Sequence, residues 1–96
     1  MDIQDNPIIA AVKNEKELEK ALQSECQTVF LLFGTLLNID SLVKKVKAAG
    51  KTAIVHTDLI EGLGNSEIAV DFLKKYCDPD GIISTKTSMI RRAKKL

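Results

Sequence analysis

The chain has 96 residues, 45% of them hydrophobic and 28% charged, with a formal net charge of +1. That allows one small globular domain at most, and it gives no global charge to draw the chain to nucleic acid or a membrane surface. Aromatic residues make up 4% and Trp is absent, which argues against a base-stacking platform. The polar, acidic start MDIQDNP is not a signal peptide. No apolar run approaches the roughly 20 residues that span a bilayer, so the expected location is the cytoplasm. Cys26 and Cys77 lie far apart without CxxC spacing. Two buried structural thiols are the preferred reading, with a disulfide or metal site as the alternative.

Pro7 ends the irregular start, and Ile8 to Val12 is a continuous apolar run of strand length. Such a run suits a strand covered on both faces, as in parallel sheets. Asn14 can cap a helix with Glu17 as its partner in a capping-box-like pair, and Leu18, Ala21 and Leu22 form its apolar stripe. A second apolar strand runs from Val29 to Phe33 and ends at Gly34. The turn from Thr35 to Asn38 leads to a helix with Ile39, Leu42, Val43, Val46 and Ala49 at helical spacing. Gly50 is placed to end that helix as a left-handed C′ residue.

Thr52 to Val55 is the third strand. His56, the single histidine, follows it with Asp58 and Glu61. Asn65 or Ser66 caps the next helix, whose buried stripe is read as Ala69, Phe72, Leu73 and Tyr76. Asp78-Pro79-Asp80-Gly81 is a turn signal, and Ile82-Ile83-Ser84 is the fourth strand. Thr85 to Ser88 leads into a last helix with Met89, Ile90, Ala93 and Leu96 on its apolar side.

The order βαβαβαβα predicts an α/β fold with a parallel sheet and right-handed crossovers. Strands starting near residues 8, 28, 52 and 81 have the cadence of a TIM (β/α)₈ barrel, with a doubly wound sheet as the structural alternative. Four βα units are half of such a barrel and leave two strand edges and one apolar sheet face uncovered. The chain is therefore expected to be a partial domain over residues 1–96, the N-terminal half of something longer or a half that self-associates. The final helix, which runs to Leu96 without a C-cap, points to truncation.

In both architectures ligands bind at the carboxyl ends of the strands. That rule selects Lys13, Gly34, His56, Asp58, Glu61, Ser84, Thr85 and Lys86. His56 can serve as a hydrogen-bond donor or general base, or be satisfied by Asp58. Asp58 and Glu61 can bind polyol hydroxyls or Mg²⁺, or act in acid–base work. Alternatively, Asp58 fixes its loop through backbone N–H groups and Glu61 pairs with a rim lysine. Gly62-Leu63-Gly64-Asn65-Ser66 resembles a phosphate-cradling turn, but Glu67 stands where GxGxxG needs glycine, which favours a plain tight turn. Lys13 and Lys86 can neutralise an anion. Arg91, Arg92, Lys94 and Lys95, with no acid among them, can meet RNA phosphates or form a solvated face. No nucleophilic triad or metal-ligand cluster is present, so no catalytic residue and no metal site is assigned.

Four segments carry a resemblance. Pro7-Ile8-Ile9-Ala10-Ala11-Val12-Lys13, Val29-Phe30-Leu31-Leu32-Phe33-Gly34, His56-Thr57-Asp58-Leu59-Ile60-Glu61-Gly62-Leu63 and Pro79-Asp80-Gly81-Ile82-Ile83-Ser84-Thr85-Lys86 resemble the opening of the glycerol-3-phosphate-responsive antiterminator family. The resemblance covers nearly the whole chain. It implies a TIM-barrel-like regulator that is not an enzyme, senses glycerol 3-phosphate and binds the leader mRNA of a glycerol uptake operon. No cofactor is implied beyond that effector. Lys13, His56, Asp58, Glu61, Thr85 and Lys86 would line the ligand end. Family members carry a second half with the turns expected to hold the phosphate, which this chain lacks. Lys86 stands where Arg is frequent, keeping the charge without the bidentate geometry. Two other readings stand beside it. One is a TIM-barrel isomerase or aldolase-like fragment acting on a phosphorylated sugar through His56, Asp58, Glu61 and Lys86. The other is a half barrel that pairs with itself.

Overall fold

The computed structural model describes residues 9–64, 66–85 and 87–95, the side chains of 87–89 excepted. Pro7, Ile8, Asn65, Lys86 and Leu96, and the side chain of Met89, lie outside that description. Four parallel strands, β1 (Ile9–Val12), β2 (Thr28–Leu31), β3 (Thr52–His56) and β4 (Gly81–Ile83), pair in sequence order. They alternate with helices α1 (Glu15–Gln23), α2 (Ile39–Ala48), α3 (Glu67–Phe72) and α4 (Thr87–Lys95). A sequential order with right-handed crossovers puts every helix on one face of the sheet. A doubly wound sheet would reverse its strand order partway. The architecture is thus four βα units of barrel type.

Register and the two-residue period divide the strands between two faces. Val12, Val29, Leu31, Ala53 and Val55 point under the helices and are buried. They meet Leu18 and Ala21 of α1, Ile39, Leu42, Val43 and Val46 of α2, and Ala69 and Val70 of α3 in one apolar cluster. The other face carries Ala11, Phe30 and Ile54 in one row, and Leu32, His56 and Ile83 toward the strand ends. These side chains are exposed or half-buried, because this face corresponds to the interior of a closed barrel.

Local chemistry sets the helix ends. Asn14 accepts a hydrogen bond from Glu17 N–H at 2.8 Å, while Glu17 Oε1 accepts from Lys13 N–H at 2.7 Å. The box therefore closes one residue earlier than the usual reciprocal pair. At the end of α2, Gly50 has φ +78° and its N–H donates to Lys47 O, while Lys51 N–H donates to Val46 O, a Schellman ending. The Lys51 ammonium reaches Ser24 O and Cys26 O at 3.0 and 2.7 Å, satisfying carbonyls past the end of α1.

Three positions read as lying on apolar helix faces are exposed, Ala49, Tyr76 and Ile90 of α4. Ala49 is the exposed C-cap of α2, since the helix stops before its stripe reaches that far. Tyr76 is 58% exposed. Past Phe72 the helix widens into a π turn, Leu73–Cys77, closed by Asp78 N–H to Leu73 O. The extra residue per turn brings Cys77 into the core and swings Tyr76 outward, where its ring lies 5.4 Å from that of Phe72. Both cysteines are free and buried. Burial, with Asp40 nearby, pushes the Cys77 thiol up to about 11, which leaves it protonated and inert at neutral pH.

Candidate functional site at the carboxyl ends of the strands

The carboxyl ends of β1 to β4 bring most of the expected residues to one rim. Carrying the register one residue past Val12 and Leu31 places Lys13, Leu32, His56 and Ile83 in a single row on the open face. Lys13 is exposed. His56, the last residue of β3, is half-buried. Its Nδ1 is buried and has no hydrogen-bond partner among the described residues. A buried ring nitrogen left unpaired costs free energy, so His56 holds an unused polar atom on the face where a ligand would sit.

Asp58 behaves differently. It lies in the 3-10 turn Thr57–Leu59. Its Oδ1 accepts from Ser84 Oγ at 3.0 Å, and its Oδ2 accepts from Thr85 N–H at 2.8 Å and Thr85 Oγ1 at 2.7 Å. The Thr85 N–H and then the Thr85 hydroxyl hold the carboxyl below its ordinary value against the desolvation of burial, with lesser help from the Ser84 hydroxyl and the charge of His56. A carboxylate so engaged is a poor proton acceptor at neutral pH. Asp58 ties the loop after β3 to the loop after β4. Thr57 Oγ1 adds a bond to Ile83 O at 3.2 Å beside it.

Glu61 joins the rim through its backbone. Its N–H donates to Gly34 O at 2.9 Å and its carbonyl accepts from Leu36 N–H at 2.8 Å, forming a parallel bridge with Thr35. Its carboxylate is left exposed, with no ion pair among the described residues. The approach requires Gly34, whose φ is +127°. A Cβ there would lie 2.9 Å from Leu42 Cδ1. Asn38 Oδ1 accepts from Thr35 N–H at 2.7 Å and shapes the same loop. Gly62 and Gly64, at φ +86° and +80°, form the tight turn that leads to Ser66 at the start of α3. Ser84 and Thr85 are at the rim, and Lys86 lies outside the described residues.

The basic run divides in two. Arg92 Nε and Nη2 donate to the two oxygens of Asp71 at 2.6 and 3.0 Å, joining α4 to α3. The hydrogen bond and charge of Arg92 hold the Asp71 carboxyl low, and Asp71 holds the guanidinium high in return. Arg91, Lys94 and Lys95 are exposed on the same helix. Among the described residues no three His, Cys, Asp or Glu side chains are grouped to hold a metal ion. No helix among them is long and apolar enough to cross a membrane. A cleft of about 200 Å³ lies on the helix side, lined by Val70, Leu73, Pro79, Gly81, Ile82 and Ala93 among others. It shares no residue with the rim, and its two charged lining residues, Lys74 and Asp80, are held elsewhere, Lys74 by Asp78 and Asp80 by the Ala53 N–H.

The ties through Thr35, Thr57, Ser84 and Thr85 are not legible in the sequence as a set. A signal exists: in a parallel sheet the residues after adjacent strands are neighbours, so a Ser-Thr pair after β4 falls beside an acid after β3.

The sequence pattern of the glycerol-3-phosphate-responsive antiterminator family matches residues 8–96. The chain is 48% identical over 92 residues to the uncharacterized protein YgcP of Escherichia coli (strain K12), covering 96% of this chain and 48% of that protein. The crystal structure of the glycerol uptake operon antiterminator regulatory protein of Listeria monocytogenes str. 4b F2365 superposes with a TM-score of 0.90 at 37% identity, over 99% of this chain and 51% of that one. A glycerol uptake operon antiterminator-related protein of Thermotoga maritima MSB8 superposes with a TM-score of 0.81, also at 37% identity, over 94% of this chain and 50% of that one. The chain spans about half the length of these relatives.

Proposed function

Since the chain belongs to the glycerol-3-phosphate-responsive antiterminator family, we propose that its rim is half of an effector site for glycerol 3-phosphate in a transcription antiterminator of a glycerol uptake operon. The observation that carries this reading is the pairing of an exposed cation with an unsatisfied imidazole in one row of the open face, Lys13 and His56. The effector is a phosphate dianion joined to a diol. Lys13 and Lys86 supply charge for the phosphate. The His56 imidazole and the Glu61 carboxylate supply a donor and acceptors for the hydroxyls. Asp58 contributes indirectly, by fixing Thr85 at the rim. Binding rather than catalysis fits the rim, because Asp58 and the Ser84 and Thr85 hydroxyls are engaged with one another in hydrogen bonds.

The proposed nucleic-acid partner is a leader mRNA, met by Arg91, Lys94 and Lys95 through its phosphates. Arg92 serves that surface by anchoring α4 to Asp71. No metal or other cofactor takes part. The open sheet face is covered either by a copy of the chain or by a second half of the polypeptide.

A titration of glycerol 3-phosphate monitored by backbone amide NMR tests the reading, with glycerol and inorganic phosphate run separately. Shifts at residues 13, 34, 56–61 and 84–85 are expected, weakened about tenfold in Lys13→Ala and His56→Ala, the loss of one charged or buried hydrogen bond each. A mobility-shift assay with leader RNA is run in parallel. No shift with glycerol 3-phosphate, together with no effector dependence of RNA affinity, overturns the proposal.

A further inference from the structure

We propose that Tyr76 stacks one base of a single-stranded RNA while Lys75 and Lys95 clasp the phosphate beside it. This rests on the reading of α4 as an RNA-contacting helix and extends that surface to the end of α3. Three observations carry it.

The first is the ring. Tyr76 is the single tyrosine of a chain without Trp. The π turn Leu73–Cys77 buries Cys77 and leaves Tyr76 58% exposed. A large aromatic face is thus kept in water, yet the ring is held in place. Its centroid lies 5.4 Å from that of Phe72 and 5.4 Å from the Lys75 ammonium. A ring already ordered loses little freedom when a base stacks on it.

The second is the placing of the cations. Arg92 of α4 grips Asp71 of α3, and both helices follow parallel strands and run the same way. Lys75 is four residues on from Asp71, and Lys95 is three on from Arg92. Each therefore stands about one turn farther along the same side of its helix. The two ammonium groups flank one groove between α3 and α4, just past the ion pair. Both are exposed, with no ion pair among the described residues. Their neighbours are committed: Lys47 and Lys74 to Asp78, and Arg92 to Asp71. Two like charges side by side are mildly unfavourable until an anion lies between them.

The third is the pairing of ring and cations. The helix dipole favours cations in a last turn, which accounts for Lys45 and Lys47 on α2, but it does not account for an exposed aromatic ring beside them. A bare phosphate would use the lysines and leave the ring idle, and a duplex keeps its bases inside the stack. A single strand offers a phosphate and an unstacked base together, the combination that a basic groove with an aromatic side chain binds. One ring is no platform for a run of bases; it takes one.

NMR of the 96-residue chain with a short single-stranded oligoadenylate tests this, since no other tyrosine contributes signals and stacking tolerates any base. The Tyr76 ring protons should move upfield with the single strand and stay in place when it is duplexed with its complement. In fluorescence anisotropy, Tyr76→Ala should weaken single-strand binding about tenfold and Tyr76→Phe should leave it nearly unchanged, both with the salt dependence unaltered. Lys75→Ala and Lys95→Ala should each reduce the slope of log affinity against log salt by about 0.7. Circular dichroism checks that each variant is folded. A strand that binds without moving the ring, and equally well to Tyr76→Ala, overturns the stacking site and leaves the RNA reading of α4 standing. So does leader RNA that shifts the chain in a mobility assay while oligoadenylate does not bind. Binding of neither RNA overturns both. Adenosine monophosphate that moves the ring as far as the oligomer at equal concentration marks a mononucleotide site and overturns the proposal. A concentration-dependent dimer that Tyr76→Ala abolishes assigns the ring to a protein contact and also overturns it.

Discussion

Asp58 and Gly34 show how single residues decide the shape of the rim. The Asp58 carboxylate accepts three hydrogen bonds from Ser84 and Thr85, and its carboxyl is held below the ordinary 3.8. A depressed acid contributes stability that is present above its unfolded value and lost as pH falls through its folded value. Acid titration of the folded chain should therefore show a loss of stability below about pH 4, and Asp58→Asn should reduce that dependence. The substitution should cost about 1 kcal/mol in urea unfolding, the low end for hydrogen bonds to a charged group because this one is solvent-accessible. A variant with unchanged stability and an unchanged acid limb would show that Asp58 is not a fastener. At Gly34, φ +127° and a Cβ position 2.9 Å from Leu42 Cδ1 act together. Gly34→Ala should cost about 2–4 kcal/mol, strain plus overpacking. Gly50→Ala, at φ +78° with no atom near its Cβ, should cost only about 1 kcal/mol. Equal costs at the two sites in chemical denaturation would contradict this account. The sequence marks His56, Asp58 and Glu61 as rim groups from their place after a strand. It leaves open which of them is a fastener, because that depends on what the neighbouring strand presents.

At the level of elements, the ends of the helices are more legible than their middles. Asn14 with Glu17, and Gly50 after Ala49, are local signals that act over four or five residues, and both appear in the structure. The stripe of α3 departs from its apolar spacing because that spacing assumes a constant helical period, and the π turn Leu73–Cys77 breaks it. The turn ends at Asp78, whose φ of 50° is left-handed and whose carboxylate is held low by Lys74 and Lys47. The ion pair between Arg92 and Asp71 has the same long-range character, spanning 21 residues of sequence. It predicts that Asp71→Ala will speed amide hydrogen exchange throughout α4 several-fold while leaving α1 and α2 unchanged, because local opening governs exchange at a peripheral element. Uniform acceleration would show instead that the pair supports the whole fold.

The whole molecule is a sheet with one face finished and one face open. Residues 8–96 match the antiterminator family, and the Listeria structure repeats this half with a TM-score of 0.90. The chain by itself determined the βα alternation, the parallel sheet, the Asn14 cap and Gly50 ending, and the set of polar residues that follow the strands. These follow from periodicities of two and 3.6 residues and from local capping, all contained in short windows of sequence. Only the tertiary structure decided that Asp58 is tied to Ser84 and Thr85 while His56 keeps a buried nitrogen unpaired. It also decided that Arg92 is committed to Asp71, and that Cys77 rather than Tyr76 enters the core. The physical reason is common to all of them: each outcome depends on which groups from distant segments arrive within about 3 Å, and no local pattern encodes that distance.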